Sequence, residues 1–229
     1  MREIVFDTET TGLSFSGGDR LVEIGCVELF NRCETGKTFH RYINPGRTMP
    51  AEAQAVHGLS DAFLSDKPSF ASVVDELVDF LGDCPLIAHN ANFDFGFVNG
   101  EFGLCGRPML EMHRMVDTLV LARQRHPGAK HTLDALCVRY GIDRSQRVLH
   151  GALLDAQLLS QVYVELCGGR QIGLGLTIEE VSVGGTVARA TRAIARAPRH
   201  FAPSPEEIAQ HTAFMRGVKE PLWGSPAFD

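Results

Sequence analysis

Apolar residues near the start of the chain fall in short blocks and alternations, not at helical spacing. Glu3–Phe6, Leu21–Phe30 (LVEIGCVELF) and Phe39–Ile43 read as three strands, parted by polar and Gly-containing turns. From Ala51 the spacing changes. Ala51–Val56 predicts a short helix stopped at His57-Gly58. Ser69 is placed to N-cap a helix whose Val73, Val74, Leu77, Val78 and Leu81 recur at helical intervals before Gly82. Leu86–Ala88 reads as a short buried strand. It leads into His89-Asn90-Ala91-Asn92 and an amphipathic helix from about Phe93, with Asn92 as its N-cap. Val116–Arg125, Thr132–Tyr140 and Gly151–Cys167 read as further helices, the last ended by Gly168-Gly169. Three meandering strands, then a helix, a strand and more helices, predict an α/β domain with a mixed sheet over residues 1–168.

The pattern then fades. RQIGLGLTIEEVSVGGTVA is rich in Gly and poor in periodic apolar positions, so residues 169–186 read as a flexible linker. Residues 187–229 form a separate segment. Arg189, Arg192, Arg196 and Arg199 fall three or four apart, one basic stripe if helical: a solvated face, or one that contacts a partner or a nucleic-acid backbone. Ser204-Pro205-Glu206-Glu207 is a helix start, with a capping Ser, Pro at the first position and acids in the first turn. Ile208, Phe214, Met215 and the lone Trp223 have too little chain around them to build a core, and read as anchors for a partner protein.

Charge narrows the partners. Residues 1–168 hold 15 Lys and Arg against 22 Asp and Glu, a net −7, whereas residues 169–229 hold 7 against 6, a net +1. An acidic body binds a phosphate backbone poorly on its own, because counterion release needs clustered cations. A nucleic-acid substrate therefore requires metal ions in the site or a partner that holds the substrate. The six cysteines (26, 33, 84, 105, 137, 167) form no CxxC pair and lie among apolar residues, which suggests reduced, buried thiols and not a disulfide or zinc framework. No apolar run approaches the roughly 18 residues that span a bilayer, and the N-terminus lacks a signal-like apolar stretch. The expectation is a soluble cytoplasmic protein.

The candidate chemistry is carboxylate chemistry. Asp7 and Glu9 close the first strand in FDTETTG, and alternation points both to one face. Two such groups resist joint ionisation unless a cation sits between them, and hard divalent metals take oxygen ligands. Asp94 sits in the first turn of its helix, where capping by the helix dipole is the plainer explanation. Asp117 opens the next helix, where that explanation applies more strongly. His150 and Asp155 are five positions apart, about 140° around a helix axis, so they share a site only if His150 lies on the loop before the helix. Gly151 makes that break easy, and Asp155 then falls in the second turn of an otherwise apolar helix.

These elements together resemble the DEDDh family of 3′→5′ exonucleases, through FDTETTGL, VHGLSD, HNANFDFGF, TLDALCVRYGID and LHGALLDAQLL, with no catalytic position missing across residues 1–168. The resemblance implies a ribonuclease-H-like fold and two divalent metals, Mg²⁺ with Mn²⁺ as substitute. It implies that Asp7, Glu9 and Asp155 hold one metal, that Asp7 bridges to the second, that Asp94 completes the second site, and that His150 is the general base. In this family the stretch carrying Thr10, Gly12 and Leu13 lines the terminal-nucleotide pocket with Leu13 as a wedge. His57, Asn90 and Phe93 resemble pocket residues too. Core packing is the other reading of Leu13 and Phe93, and a structural role that of His57, His89 and His131.

With the tail included, the chain resembles the proofreading epsilon type found in bacterial DNA polymerase III. That resemblance implies a DNA primer 3′ end as substrate and a polymerase alpha subunit as the partner of Ile208, Phe214, Met215 and Trp223. It also implies a sliding clamp bound through Gln171, Leu174 and Leu176, a small theta-like subunit on the nuclease domain, a place at the bacterial replisome, and neither a membrane nor a homo-oligomer. Two alternatives stay open here: a stand-alone RNA or DNA exonuclease of the same fold, and a non-catalytic scaffold bridging polymerase and clamp.

Overall fold

In a computed structural model, which describes residues 1–147, 149–169 and 202–217, β1 (Arg2–Thr10) carries the register for everything else. It pairs antiparallel with β2 (Leu21–Phe30), which pairs antiparallel with the edge strand β3 (Cys33–Tyr42). On its other side β1 runs parallel to β4 (Leu86–Ala88), and β4 parallel to β5 (Met115–Asp117). The result is a mixed five-stranded sheet of order β3–β2–β1–β4–β5. The β2–β3 turn is two residues, Asn31 and Arg32, both at positive φ (51° and 65°), the twist that suits a tight hairpin.

Alternation along β1 sends Ile4 and Phe6 to one face and Val5 to the other. Ile4 and Phe6 join Phe39, Val73 and Leu77 of α3 (Phe70–Leu81), and Phe95 and Phe102 of α4 (Asn92–Leu104). Two short helices, Ala51–His57 and Asp61–Leu64, precede α3 and are called α1 and α2. Val5, Leu29 and Ile87 pack on the opposite face against Leu159 and Tyr163 of the last long helix, Ala152–Leu166. Between α4 and that helix lie α5 (Thr118–Arg125) and α6 (Leu133–Tyr140), so it is α7. Each such side chain removed from water stabilises the fold by about 1.5–3 kcal/mol.

Several local expectations need correction. β1 does not end at Phe6, so Asp7 and Glu9 are held within the ladder opposite Gly25 and Glu23. β3 starts at Cys33, earlier than Phe39, because its first half is an exposed polar edge whose ladder hydrogen bonds leave no apolar signature. Residues 115–117 are strand, not helix; the three-residue strand ends at Asp117, which also N-caps α5 by accepting from the Leu119 N–H at 2.8 Å. The N-cap of α4 is Ala91, not Asn92, and it makes no side-chain bond. Of the cysteines, Cys26 and Cys137 are buried, three are partly covered, and Cys33 on the edge strand is exposed.

The chain divides into two units, Met1–Leu176 and Thr177–Asp229. In the second, α8 (Pro205–Gly217) begins as its sequence suggests: Glu207 N–H donates to Ser204 Oγ, and Glu207 Oε2 accepts from Ser204 N–H at 2.7 Å. Ile208 and Phe214 on it are exposed, Met215 partly so. Gln171, Leu174, Leu176, the Arg189–Arg199 stripe and Trp223 lie outside the described residues. Among those described, no helix is long and apolar enough to cross a membrane.

Candidate active site

Asp7 and Glu9 share the face of Val5, the one covered by α7. The helix comes close because Gly25, opposite Asp7, has no side chain; a Cβ there would overlap the backbone of Ala152 and Leu153. Asp155 is the fourth residue of α7. It therefore lies in the first turn, one turn earlier than expected, because the helix starts at Ala152 with Gly151 as an extended N-cap. His150 stands just outside the helix, as sharing a site with Asp155 requires. One ligand atom each of Glu9, His150 and Asp155 lies within 4.8 Å of the other two.

Asp94 arrives from α4, in its first turn, and Thr8 Oγ1 donates to its Oδ1 at 2.7 Å. The loop before α4 is shaped by Asn90, a non-glycine residue at φ 62°, whose N–H donates to Asp117 Oδ1 at 3.0 Å. Asp117 thus ties this loop to the start of α5. Asp7, Glu9, Asp94, His150 and Asp155 line one cavity of about 860 Å³, with Asn90 and Phe93 at its wall. Thr8, Glu9 and Phe93 are shared with a second cavity of about 510 Å³, lined by Thr10, Gly12, Leu13 and His57.

The second cavity has its own character. Leu13 is 86% exposed, so core packing does not account for it. Phe93 is half-buried, its ring 4.9 Å from that of Phe97. Buried His57 accepts the Leu59 N–H on Nδ1 at 3.1 Å, which puts the proton of the neutral ring on Nε2. That nitrogen has no hydrogen-bond partner among the described residues. Burial lowers the His57 pKa, keeping the ring neutral. Gly12 has a local role: a Cβ there would overlap the Asp19 carboxylate. The other two histidines have local partners, His89 Nδ1 with Thr118 Oγ1 at 2.8 Å and His131 Nε2 with the His126 carbonyl at 2.7 Å.

Electrostatics separate the carboxylates. Burial, then the charges of Asp94, Glu9 and Asp155, push Asp7 well above the usual carboxylate range. Burial and the nearby Glu23 raise Glu9 to about 8, and burial raises Asp94 to about 7. Asp155 goes the other way. Burial works against its charge, but hydrogen bonds from Arg147 and His150 outweigh it. Three carboxyls that cannot comfortably ionise together, Glu9 and Asp94 buried and Asp7 partly so, beside a fourth that is ionised, form an all-oxygen donor set with a neighbouring imidazole. That set fits hard divalent cations.

The cation on Asp155 is Arg147, which the sequence did not single out. Its Nε and one terminal nitrogen donate to the two oxygens of Asp155 at 2.5 and 2.7 Å. The other terminal nitrogen reaches Asp134 Oδ1 at 3.0 Å. Nothing in a single sequence marks an arginine eight positions before an aspartate as its partner; the loop between them must fold back first.

This constellation belongs with the comparisons. The family profile described as Exonuclease matches residues 4–163. The DNA polymerase III subunit epsilon of Rickettsia felis is 45% identical over 222 residues, covering 95% of this chain and 97% of the relative. That of Escherichia coli is 44% identical over 230 residues, covering 96% and 94%. The chain belongs to the exonuclease family, among the epsilon subunits of DNA polymerase III. It is accordingly a 3′→5′ exonuclease, a hydrolase. Exonuclease X in complex with 5′ overhanging duplex DNA superposes with a TM-score of 0.57 at 25% identity, over 72% of this chain and 90% of that one. The nuclease domain of 3′hExo, a DEDDh family member bound to rAMP, superposes at 0.63 with 16% identity over 72% and 91%, a likeness of fold. Against these relatives the scaffold alternative loses its ground.

Proposed function

We propose that this protein removes mismatched nucleotides from DNA primer 3′ ends as the proofreading subunit of a replicative polymerase, with Mg²⁺ as its metal and Mn²⁺ as a substitute. The observation that carries the proposal is the single cavity holding Asp7, Glu9, Asp94, Asp155 and His150, which shares Thr8, Glu9 and Phe93 with the cavity of Leu13 and His57. Asp7, Glu9 and Asp155 would hold one ion, and Asp7 with Asp94 the other. Bound there, two ions would supply Lewis-acid chemistry: a polarised phosphate, a more acidic water and charge stabilisation at the leaving 3′-oxygen.

The chain's own residues do the rest. His150, half-exposed on the loop before α7, accepts the proton of the attacking water on Nε2. This uses the tautomer whose Nδ1–H points to Asp155 Oδ2, 3.3 Å away. Leu13 wedges beside the terminal base, Phe93 supports it, and His57 Nε2–H and Asn90 offer hydrogen bonds to the terminal nucleotide. Thr10 and Gly12 shape the pocket wall; Thr10 Oγ1 donates to the Gly12 carbonyl at 2.5 Å. Residues 1–168 are the nuclease domain on this reading. Gln171, Leu174 and Leu176 dock on a sliding clamp, and Ile208, Phe214, Met215 and Trp223 on the polymerase alpha subunit, at the bacterial replisome. A theta-like subunit would sit on the nuclease domain.

The test is Mg²⁺-dependent degradation of a 3′-mismatched DNA primer, wild type beside Asp7→Ala. Stepwise 3′→5′ loss that disappears with the variant and with chelator supports the proposal. An inert wild type, even with Mn²⁺ and polymerase present, overturns it. Loss of polymerase co-purification in Phe214→Ser, with nuclease activity intact, tests the tail.

A further inference from the structure

Arg147 is nearly buried, its side chain 9% exposed, in the cavity that also holds Asp7, Glu9, Asp94, Asp134 and Asp155. Its guanidinium is fully committed. A planar fork meets both oxygens of Asp155 at 2.5 and 2.7 Å, a geometry that fixes the carboxylate in plane as well as in position. The remaining nitrogen anchors to Asp134 at the start of α6, which Arg144 also holds at 2.8 Å. The nitrogen on Asp155 Oδ2 further lies 2.9 Å from His150 Nδ1. When His150 carries its proton on Nδ1, this last contact lapses and the two bonds to Asp155 remain. One side chain therefore joins α6, α7 and the loop bearing His150 at the point where Glu9, His150 and Asp155 converge.

We propose that Arg147 is a positioning residue of the nuclease, holding Asp155 and the His150 loop in the arrangement that receives the metal. This rests on the metal-dependent nuclease reading above. Arg147 acts through Asp155 and His150, one of its terminal nitrogens standing 3.5 Å from His150 Nε2. Partners of metal-ligating side chains fix ligand orientation, and their loss commonly costs about 10–100-fold in metal affinity or activity. A lysine keeps the charge and loses the fork, so it separates geometry from charge.

The experiment is calorimetric titration of Mn²⁺ into the full-length chain, for wild type, Arg147→Lys and Arg147→Gln, with steady-state kinetics on a 3′-mismatched primer alongside. Both variants are expected to bind Mn²⁺ about 10–100-fold more weakly. Their kcat should fall while KM for the primer stays within twofold. Raising Mn²⁺ should recover more kcat in Arg147→Lys than in Arg147→Gln. Asp134→Asn, which loosens the anchor but keeps the fork, should shift metal affinity the same way by a smaller factor. Unchanged Mn²⁺ affinity in both Arg147 variants overturns the proposal. Tighter binding overturns it as well, because Arg147 would then be a competitor of the metal and not a support for its ligand. A wild type that binds Mn²⁺ yet cleaves nothing would instead overturn the nuclease reading, so the two failures are distinguishable.

Discussion

Asp7 stands opposite Gly25 in the β1–β2 ladder, and the space above the missing Gly25 side chain is filled by the first turn of α7. Residues directly paired across an antiparallel ladder project to the same face. The glycine therefore sets the distance between the carboxylate of β1 and the carboxylate of α7. Gly25→Ala should force α7 outward, with a stability loss of about 1–3 kcal/mol for the overpacking. Asp155 moves with the helix, so kcat should drop further than the stability loss alone would produce. Chemical denaturation beside a primer assay at a temperature where the variant is folded checks this. A variant that is destabilised but cleaves at the wild-type rate would show that α7 can shift without disturbing the site.

Thr8 is the matching device on the other face of β1. Its hydroxyl holds Asp94 at 2.7 Å between two buried groups. Thr8→Val keeps the shape and leaves Asp94 short of a donor, which should destabilise the protein by about 1–3 kcal/mol. Turnover should fall without a change in KM, because Asp94 is proposed to hold a metal ion and not to contact the base. Calorimetry and kinetics on one preparation separate the two effects.

Much of this site is visible in the residue pattern, and the reason is local. Asp7-Thr8-Glu9 owes its geometry to the pleat of one strand, Asp94 to a helix start, and His150-Gly151 to a loop entering a helix; each needs only its own neighbours to be read. What the pattern hides depends on the other end of a contact. Gly25 carries no signal of its own within its strand until α7 is seen against it, and Arg147 none until the chain turns back to Asp155. The missed strand at 115–117 fails for a related reason: three residues are too few for a period, and parallel pairing to β4 alone makes them extended. The exposed start of β3 is held by backbone bonds that any polar sequence can make.

Leu13 is a side chain with little to lose from truncation. At 86% exposure, Leu13→Ala should leave the melting temperature nearly unchanged, within about 0.5 kcal/mol of wild type. If it wedges at the terminal base, KM for the primer should rise several-fold, and more for a paired end than for a frayed one. Equal kinetics on both ends would remove Leu13 from substrate handling.

The carboxylate cluster predicts an unusual pH response in the absence of metal. Glu9 is raised from 4.5 to about 8, Asp94 from 3.8 to about 7, and Asp7 well above 3.8. An acid whose folded pKa exceeds its unfolded value binds its proton more tightly in the native state. Its contribution is fully present below the unfolded value and is lost as pH rises through the folded one. Chelated protein should therefore lose stability between about pH 4.5 and about 8, the span set by Glu9. Divalent cation should restore it at the alkaline end, where the carboxylates are poised to ionise, by an amount that grows with metal concentration. Asp7→Asn removes one of the repelling charges, so at pH 8 in chelator it should melt higher than wild type while cleaving nothing. Scanning calorimetry across this range, with chelator and with Mg²⁺, checks both parts. A chelated melting temperature that is flat or rises with pH would mean the three carboxyls are not held against ionisation.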